Sequence, residues 1–357
     1  MRNDKRLVMA CAMLMAFVVC AVAEEDPIVD GKPVSQWVQQ LRNTNRGLQV
    51  RAAQALSKAE ANQMPAIVPQ LIPLLKSERE NDRFVAAQTL GSYGLVARKA
   101  VPDLLPMLKG TQFERNRAAA AKALGQILKD APPSDEVESV TDALIEKVTT
   151  NYDQFPDVRR EAARALGMIG LAARKCISKL DKVLTEYGVG VPDTDYRTIR
   201  GAAAWTLGRM GVLSAEKMDY LISLMHKDLY RSTEYVEAMG CIGPVNDNVV
   251  PNIMDVIEMP QDGMRNVIEA YVALEKFGPK SAPAVPLLCR LLKEGRLSPA
   301  VTIQCVKILK AVGPAAAEAV PLLTSLGDKG VRDITPEQFV ELKKCCAEAV
   351  ATITGKK

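Results

Sequence analysis

The sequence predicts an all-α protein, a right-handed α-α superhelix of the solenoid type built from about eight helical-hairpin repeats. Three observations predict it. A leucine-like residue recurs at Leu56, Leu90, Leu124, Leu166, Leu207, Met239, Leu274 and Leu309, spaced 34, 34, 42, 41, 32, 35 and 35 residues apart. Small and apolar residues hold fixed places around it, and no stretch alternates polar and apolar as a half-buried strand would. A period of this size over eight copies marks stacked units that share one continuous core.

The first helix of each unit carries this anchor. An alanine or similar residue lies four before it and an apolar residue three after it, as in Ala86, Leu90 and Tyr93, so one stripe faces the core at helical spacing. A glycine four after the anchor (Gly94, Gly170, Gly211, Gly243, Gly278, Gly313) ends the helix in a left-handed turn. A second stripe follows, Val101/Leu104/Leu108, Ile177/Leu180/Leu184, Met218/Leu221/Met225, Val250/Ile253/Ile257 and Val285/Leu288/Leu292, and defines a second, antiparallel helix. In four copies this helix opens on Val-Pro (Val101-Pro102, Val250-Pro251, Val285-Pro286, Val320-Pro321). Proline is tolerated there because a first-turn amide has no partner to lose. Neither helix can bury its stripe alone, so stability has to come from neighbouring units. Alanine pairs (Ala52/Ala53, Ala86/Ala87, Ala120/Ala121, Ala162/Ala163) and an aromatic content of 4% fit layers that approach closely.

Outside the array the chain changes character. Residues 1–23 carry Arg2, Lys5 and Arg6, an apolar run from Leu7 to Val22 and the closing Ala21-Val22-Ala23, the pattern of a secretory signal peptide. The run is short for a spanning helix, which leaves an uncleaved membrane anchor as the lesser reading. Val19 before Cys20 is too large for a lipid-attachment site. Residues 24–42 read as an N-terminal cap helix in which Trp37 and Leu41 close the first stripe, 43–330 as the solenoid, and 331–357 as a C-terminal capping helix with Thr335 as its N-cap before Pro336. The expected address is therefore the periplasm or cell envelope, or the medium, with no membrane insertion once the leader is removed.

Segments such as Asp157-Val158-Arg159-Arg160-Glu161-Ala162-Ala163-Arg164-Ala165-Leu166-Gly167-Met168-Ile169-Gly170 resemble HEAT repeats of the bacterial, phycobilisome-lyase-like type, and the likeness extends over about residues 43–330. A tetratricopeptide array has a similar period, but its Trp, Gly, Tyr and Phe positions are absent. The resemblance implies that the arginine seven before the anchor joins contacts between adjacent repeats at Arg83, Arg117, Arg159 and Arg200; repeats six to eight lack it. It also implies that the anchor helices line the concave side. Some relatives of these repeats assist attachment of bilin pigments to cysteines, so a lyase-like or cofactor-handling role stands as the alternative to a scaffold; likeness at the level of a repeat is a weak warrant for it.

Composition excludes several classes. Lys and Arg number 46 against 42 Asp and Glu, and Arg2, Lys5, Arg6 and Asp4 fall in the leader, so the remainder is near neutral. Nucleic-acid binders concentrate positive charge to displace counterions, and this chain does not. The single histidine, His226, has no Cys-x-x-Cys, no second histidine at helical spacing and no triad partners, so no metal, cofactor or catalytic residue is assigned. The glycines are single helix stops rather than a phosphate-cradling loop. Of the eight cysteines, six lie beyond the leader: Cys176, Cys241, Cys289, Cys305, Cys345 and Cys346. Cys176 occupies the place of Ala100 and Ala284, and Cys305 that of Ala86 and Ala270, which reads as small apolar residues in packed columns.

What remains is a binding surface. The column two before the anchor lies on the far side of its helix and reads Gln54, Gln88, Lys122, Arg164, Trp205, Glu237, Val272, Lys307, polar in six of eight copies. Trp205 stands out as an exposed indole able to anchor an interface, unless a neighbouring loop covers it. Charge changes sign along this face, from Lys122, Arg160, Arg164 and Arg209 to Glu234, Glu237 and Glu269, which suits a protein partner of mixed charge. The candidate protein-binding residues are Gln88, Lys122, Arg164, Trp205, Arg209 and Glu237. Two longer connections, Asp130–Glu136 and Tyr187–Tyr196, account for the wide spacings, and an enzyme would use the Tyr187 to Tyr235 region as its pocket. Three readings follow: a noncatalytic protein-binding scaffold of the bacterial cell envelope, a lyase-like or cofactor-handling protein, or an envelope protein that assembles with itself.

Overall fold

A computed structural model describes residues 26–110, 113–149, 155–186, 194–213, 216–227, 233–258 and 268–355. The leader expected at 1–23 and most of the connection Tyr187–Tyr196 lie outside these residues. The chain divides after Leu128 into two compact units.

The first unit opens on a short antiparallel pair, Ile28–Val29 with Lys32–Pro33, which the absence of alternation did not foretell. Its turn is Asp30-Gly31, both at positive φ (47° and 77°), the geometry that a two-residue hairpin favours. Helix α1 (Val34–Leu41) follows. Trp37 is buried there, and its indole N–H donates to the Val29 carbonyl at 2.7 Å, so the hairpin and helix close the end as one piece. Then come α2 (Arg46–Ser57), α3 (Met64–Leu71), α4 (Glu80–Ser92), α5 (Val101–Lys109) and α6 (Glu114–Ile127). Leu56, Leu90 and Leu124 are fully buried on α2, α4 and α6.

The second unit contains α7 (Asp135–Thr149), α8 (Pro156–Ile169), α9 (Ile177–Glu186), α10 (Thr194–Arg209), α11 (Lys217–Lys227), α12 (Thr233–Ile242), α13 (Val249–Glu258), α14 (Ile268–Phe277), α15 (Val285–Glu294), α16 (Pro299–Val312), α17 (Val320–Lys329) and α18 (Pro336–Thr354). Leu166, Leu207, Met239, Leu274 and Leu309 sit buried on α8, α10, α12, α14 and α16. The closing helix α18 begins with a capping box, Thr335 accepting from the Gln338 amide while Gln338 reaches back, and Pro336 stands at the first turn. One stretch among the described residues, Pro299–Lys329, is long and apolar enough to cross a bilayer; it is folded as two packed helices that break at Gly313.

Each glycine expected to stop an anchor helix has positive φ, from 55° at Gly94 to 90° at Gly243. The step to the second helix is more than a turn in four copies: a seven-residue 3-10 segment, Gly94–Ala100, Gly170–Cys176, Gly278–Ala284 or Gly313–Ala319, lies between the two helices. Its last residue, Ala100, Cys176, Ala284 or Ala319, is fully buried against the hairpin it closes. Two members of the arginine column, Arg83 and Arg159, reach back towards the preceding helix. Arg83 donates to the carbonyls of Ser77 and Glu78, and Arg159, 6% exposed, donates to Val148 at 3.2 Å. Both reach unsatisfied carbonyls where the preceding second helix ends.

A second glycine position, directly after the anchor, sets how closely the anchor helices pack. A Cβ on Gly91 would lie 3.0 Å from the Ala123 Cα, one on Gly208 3.1 Å from the Ala238 Cα and carbonyl, and one on Gly240 3.1 Å from the Ala273 Cβ. Each glycine thus meets the alanine just before the next anchor. Gly208→Ala is expected to destabilise by about 1 kcal/mol net in urea unfolding, overpacking outweighing the gain in helix propensity; a more stable variant would contradict the close approach.

All six cysteines among the described residues are free. Burial pushes the Cys176 and Cys305 thiols up to about 12, so they are inert apolar fillers, and both are fully buried as their alanine counterparts are. Cys176→Ala is expected to cost no more than about 1 kcal/mol, with melting temperature indifferent to reductant; a reductant-sensitive melt would show a disulfide.

Candidate functional site

In the second unit, four of the candidate residues come together. Arg164 on α8, Trp205 and Arg209 on α10, and Glu237 on α12 line a groove of about 320 Å³, completed by Gly240, Cys241 and, from α14, Ile268, Glu269, Val272, Ala273 and Lys276. Arg164, Trp205, Glu237 and Val272 are successive members of the column two before the anchor. Helices that approach at Gly208 and Gly240 set these side chains next to one another. The residues two after the anchor, Arg209, Cys241 and Lys276, form the opposite row; only Arg209 was singled out from the sequence, although the same period carried the other two.

Trp205 is half-buried rather than an open indole. The Arg164 guanidinium lies 4.6 Å from its ring centroid and that of Arg209 5.9 Å, a favourable placement over an aromatic face. Beneath, the ring fills the space a side chain would take at Gly167, where a Cβ would meet Trp205 Cζ3 at 2.6 Å. Thr206 next to it donates to the Ala163 carbonyl at 2.7 Å, pinning α10 to α8. The sequence expectation is corrected here: the indole is held in a socket and presents only part of its surface.

The charges are corrected as well. Instead of standing apart as basic and acidic stretches, they pair across helices. Arg164 bridges Glu234 at 3.2 Å and Glu237 at 3.6 Å. Arg209 donates through Nε to the Gly167 carbonyl at 2.9 Å and pairs with Asp130 at 3.2 Å. One guanidinium therefore serves two carboxylates while Glu269 lies close by, and the buried Glu237 Oε2 accepts no hydrogen bond among the described residues. Burial is the main cause that pushes the Glu237 carboxyl above its ordinary value, with Glu234 and Glu269 adding to it and Arg164 and Lys276 opposing.

In the first unit, Gln88 and Lys122 are exposed on α4 and α6. Gln88 lines a separate groove of about 270 Å³ with Gln54 and Phe84; Lys122 lines neither groove. His226 is exposed and contacts Asn252 at 2.6 Å, and Tyr235 is fully buried, so it forms no pocket wall. Among the described residues, no three His, Cys, Asp or Glu side chains are grouped to hold a metal.

The sequence profile of HEAT repeats matches residues 34–125 and 101–189. These segments are HEAT repeats. No curated protein sequence matches the chain. Among solved structures, Kap121p bound to Ste12p is similar at 16% identity, over 90% of this chain and 39% of that one, with a TM-score of 0.59. Importin β in an ammonium sulfate condition is similar at 16% identity over 93% of this chain and 48% of that one, TM-score 0.56. The complex of CpcE and CpcF of phycocyanin lyase from Nostoc sp. is similar at 20% identity over 81% and 97%, TM-score 0.49. The chain thus spans less than half the length of Kap121p and of importin β. The likeness to Kap121p and importin β, with the HEAT-repeat match, gives the fold, an all-α superhelix.

Glu237 supplies a pH test. Its carboxyl is raised in the folded state, so ionisation weakens folding as pH climbs from the ordinary glutamate value through the raised one; below that window the penalty is absent. Glu237→Gln is expected to gain stability over the parent at pH 7 and to match it near pH 4 in chemical denaturation. Equal stability at both values, or a loss at pH 7, would mean that the Arg164 pair dominates.

Proposed function

We propose that the chain is a noncatalytic protein-binding scaffold, exported to the bacterial cell envelope, that holds its partner on the face formed by its anchor helices. The observation that carries this reading is the convergence of Arg164, Trp205, Arg209 and Glu237 in one groove on three successive anchor helices. The side chains there are already fixed by ion pairs and ring contacts, so a partner immobilises few additional rotamers on binding. A half-buried indole rimmed by arginine and glutamate combines apolar area with directional polar groups, the composition that concentrates binding energy. Kap121p, of the same fold, is bound to Ste12p, another protein. Export rests on the apolar leader Leu7–Val22 and its small-residue end.

Trp205→Ala tests this. Because the indole fills the space above Gly167, a stability loss of about 1–2 kcal/mol is expected from lost packing and lost cation–π contact. Capture of the native partner from envelope extract, followed by mass spectrometry, should fall by about tenfold or more. Trp205→Phe should restore most of the stability and little of the capture. Capture that tracks stability in both variants would make Trp205 a packing residue and end the proposal.

A further inference from the structure

The groove in the first unit differs in its electrostatics. It is walled by α2, α4 and α6, and its lining includes Arg46, Gln49, Val50, Gln54, Phe84, Gln88 and Arg115 but no Asp or Glu. Among the described residues, neither Arg46 nor Arg115 pairs with a carboxylate, in contrast to the arginines of the second unit.

The floor is organised from below. Buried Gln49 donates to the Leu41 carbonyl at 2.9 Å and accepts from Asn81, and Asn81 in turn accepts from Arg115 at 3.4 Å. The Arg115 guanidinium also lies 3.6 Å from the Phe84 ring centroid. Arg115 is therefore oriented by a hydrogen-bond line and a ring, with no counter-ion. Above this floor, the side-chain amides of Gln54 and Gln88 have no hydrogen-bond partner among the described residues. An amide of this kind offers donors and an acceptor together, the complement of a peptide backbone. Val50, 46% exposed, adds apolar surface beside them.

We propose that this groove binds an extended acidic peptide segment of a partner protein. The inference rests on the protein-binding reading above and names the partner's chemistry at a second place on the molecule. Two unpaired guanidiniums call for carboxylates, which they bind through charge-assisted and often bidentate hydrogen bonds. Two free amides call for backbone. Neighbouring helix axes lie about 9 Å apart, so three helices offer a face about 18 Å across. That accommodates roughly five or six residues of extended chain. A single-stranded nucleic acid fits less well: it needs bare aromatic faces for its bases and a track of cations for its phosphates, and here Arg115 occupies the face of Phe84.

The test is panning a phage-displayed random dodecapeptide library on the full chain, then fluorescence anisotropy with the enriched peptides. Enriched sequences should carry an excess of Asp and Glu and lose affinity as salt rises. Arg46→Glu, an acidic substitution in a helix first turn and so compatible with folding, should weaken them about tenfold. Arg115→Gln should do the same with helicity unchanged, and Trp205→Ala should leave this binding intact. No enrichment, peptides without acidic excess, indifference to both arginine variants, or equal competition by a single-stranded DNA 12-mer would each overturn the proposal. If Trp205-dependent capture of protein from envelope extract survives such a result, the scaffold reading stands without this site; loss of both ends both.

Discussion

The structure depends on how closely consecutive anchor helices can approach. In each unit, glycine directly after one anchor faces alanine directly before the next: Gly91 against Ala123 in the first, Gly208 against Ala238 and Gly240 against Ala273 in the second. Any larger side chain at these places would separate the backbones. Separation would open voids along a core built of alanine and leucine, and such interiors tolerate neither gaps nor added methylenes. A single hairpin has two apolar stripes and buries neither fully by itself, so this crossing is where an amphipathic pair becomes part of a fold.

The same approach produces the grooves. Backbones that run close together bring residues two before and two after each anchor into adjacent rows, and a shallow groove forms between helices. The two grooves share this origin and differ in chemistry. In the second unit the ionic groups pair across helices, Arg164 with Glu234 and Glu237 and Arg209 with Asp130, and both guanidiniums lie against one indole. In the groove of the first unit Arg46 and Arg115 pair with no carboxylate among the described residues, and Arg115 faces an amide and a phenyl ring. Paired charges hold one another in place, whereas unspent charge attracts its complement.

Much of this was legible in the sequence because it repeats. Anchor positions, the left-handed glycines and the outward column follow from helical spacing, which is why Arg164, Trp205 and Glu237 could be grouped although 41 and 32 residues separate them. The alanine equivalence of Cys176 and Cys305 was readable in the same way. What escaped depends on geometry between residues far apart in the chain. Nothing local says that Arg164 crosses to Glu234, 70 residues on, or that Arg209 reaches Asp130, 79 residues back. The short pair at Ile28–Val29 is too brief to alternate, and its only signal was Asp30-Gly31. The glycine after the anchor was visible as part of the motif, but its reason, the neighbouring backbone, belongs to packing.

Native-state hydrogen exchange across both units tests the central claim most directly, since it reports the stability of each segment separately. If close crossing of the anchor helices holds each unit together, amides of α4, α8, α10 and α12 around Gly91, Gly167, Gly208 and Gly240 exchange slowest, and each second helix opens at lower free energy. Equal or greater protection in the second helices, or hairpins that open one at a time without regard to their neighbours, would contradict the account.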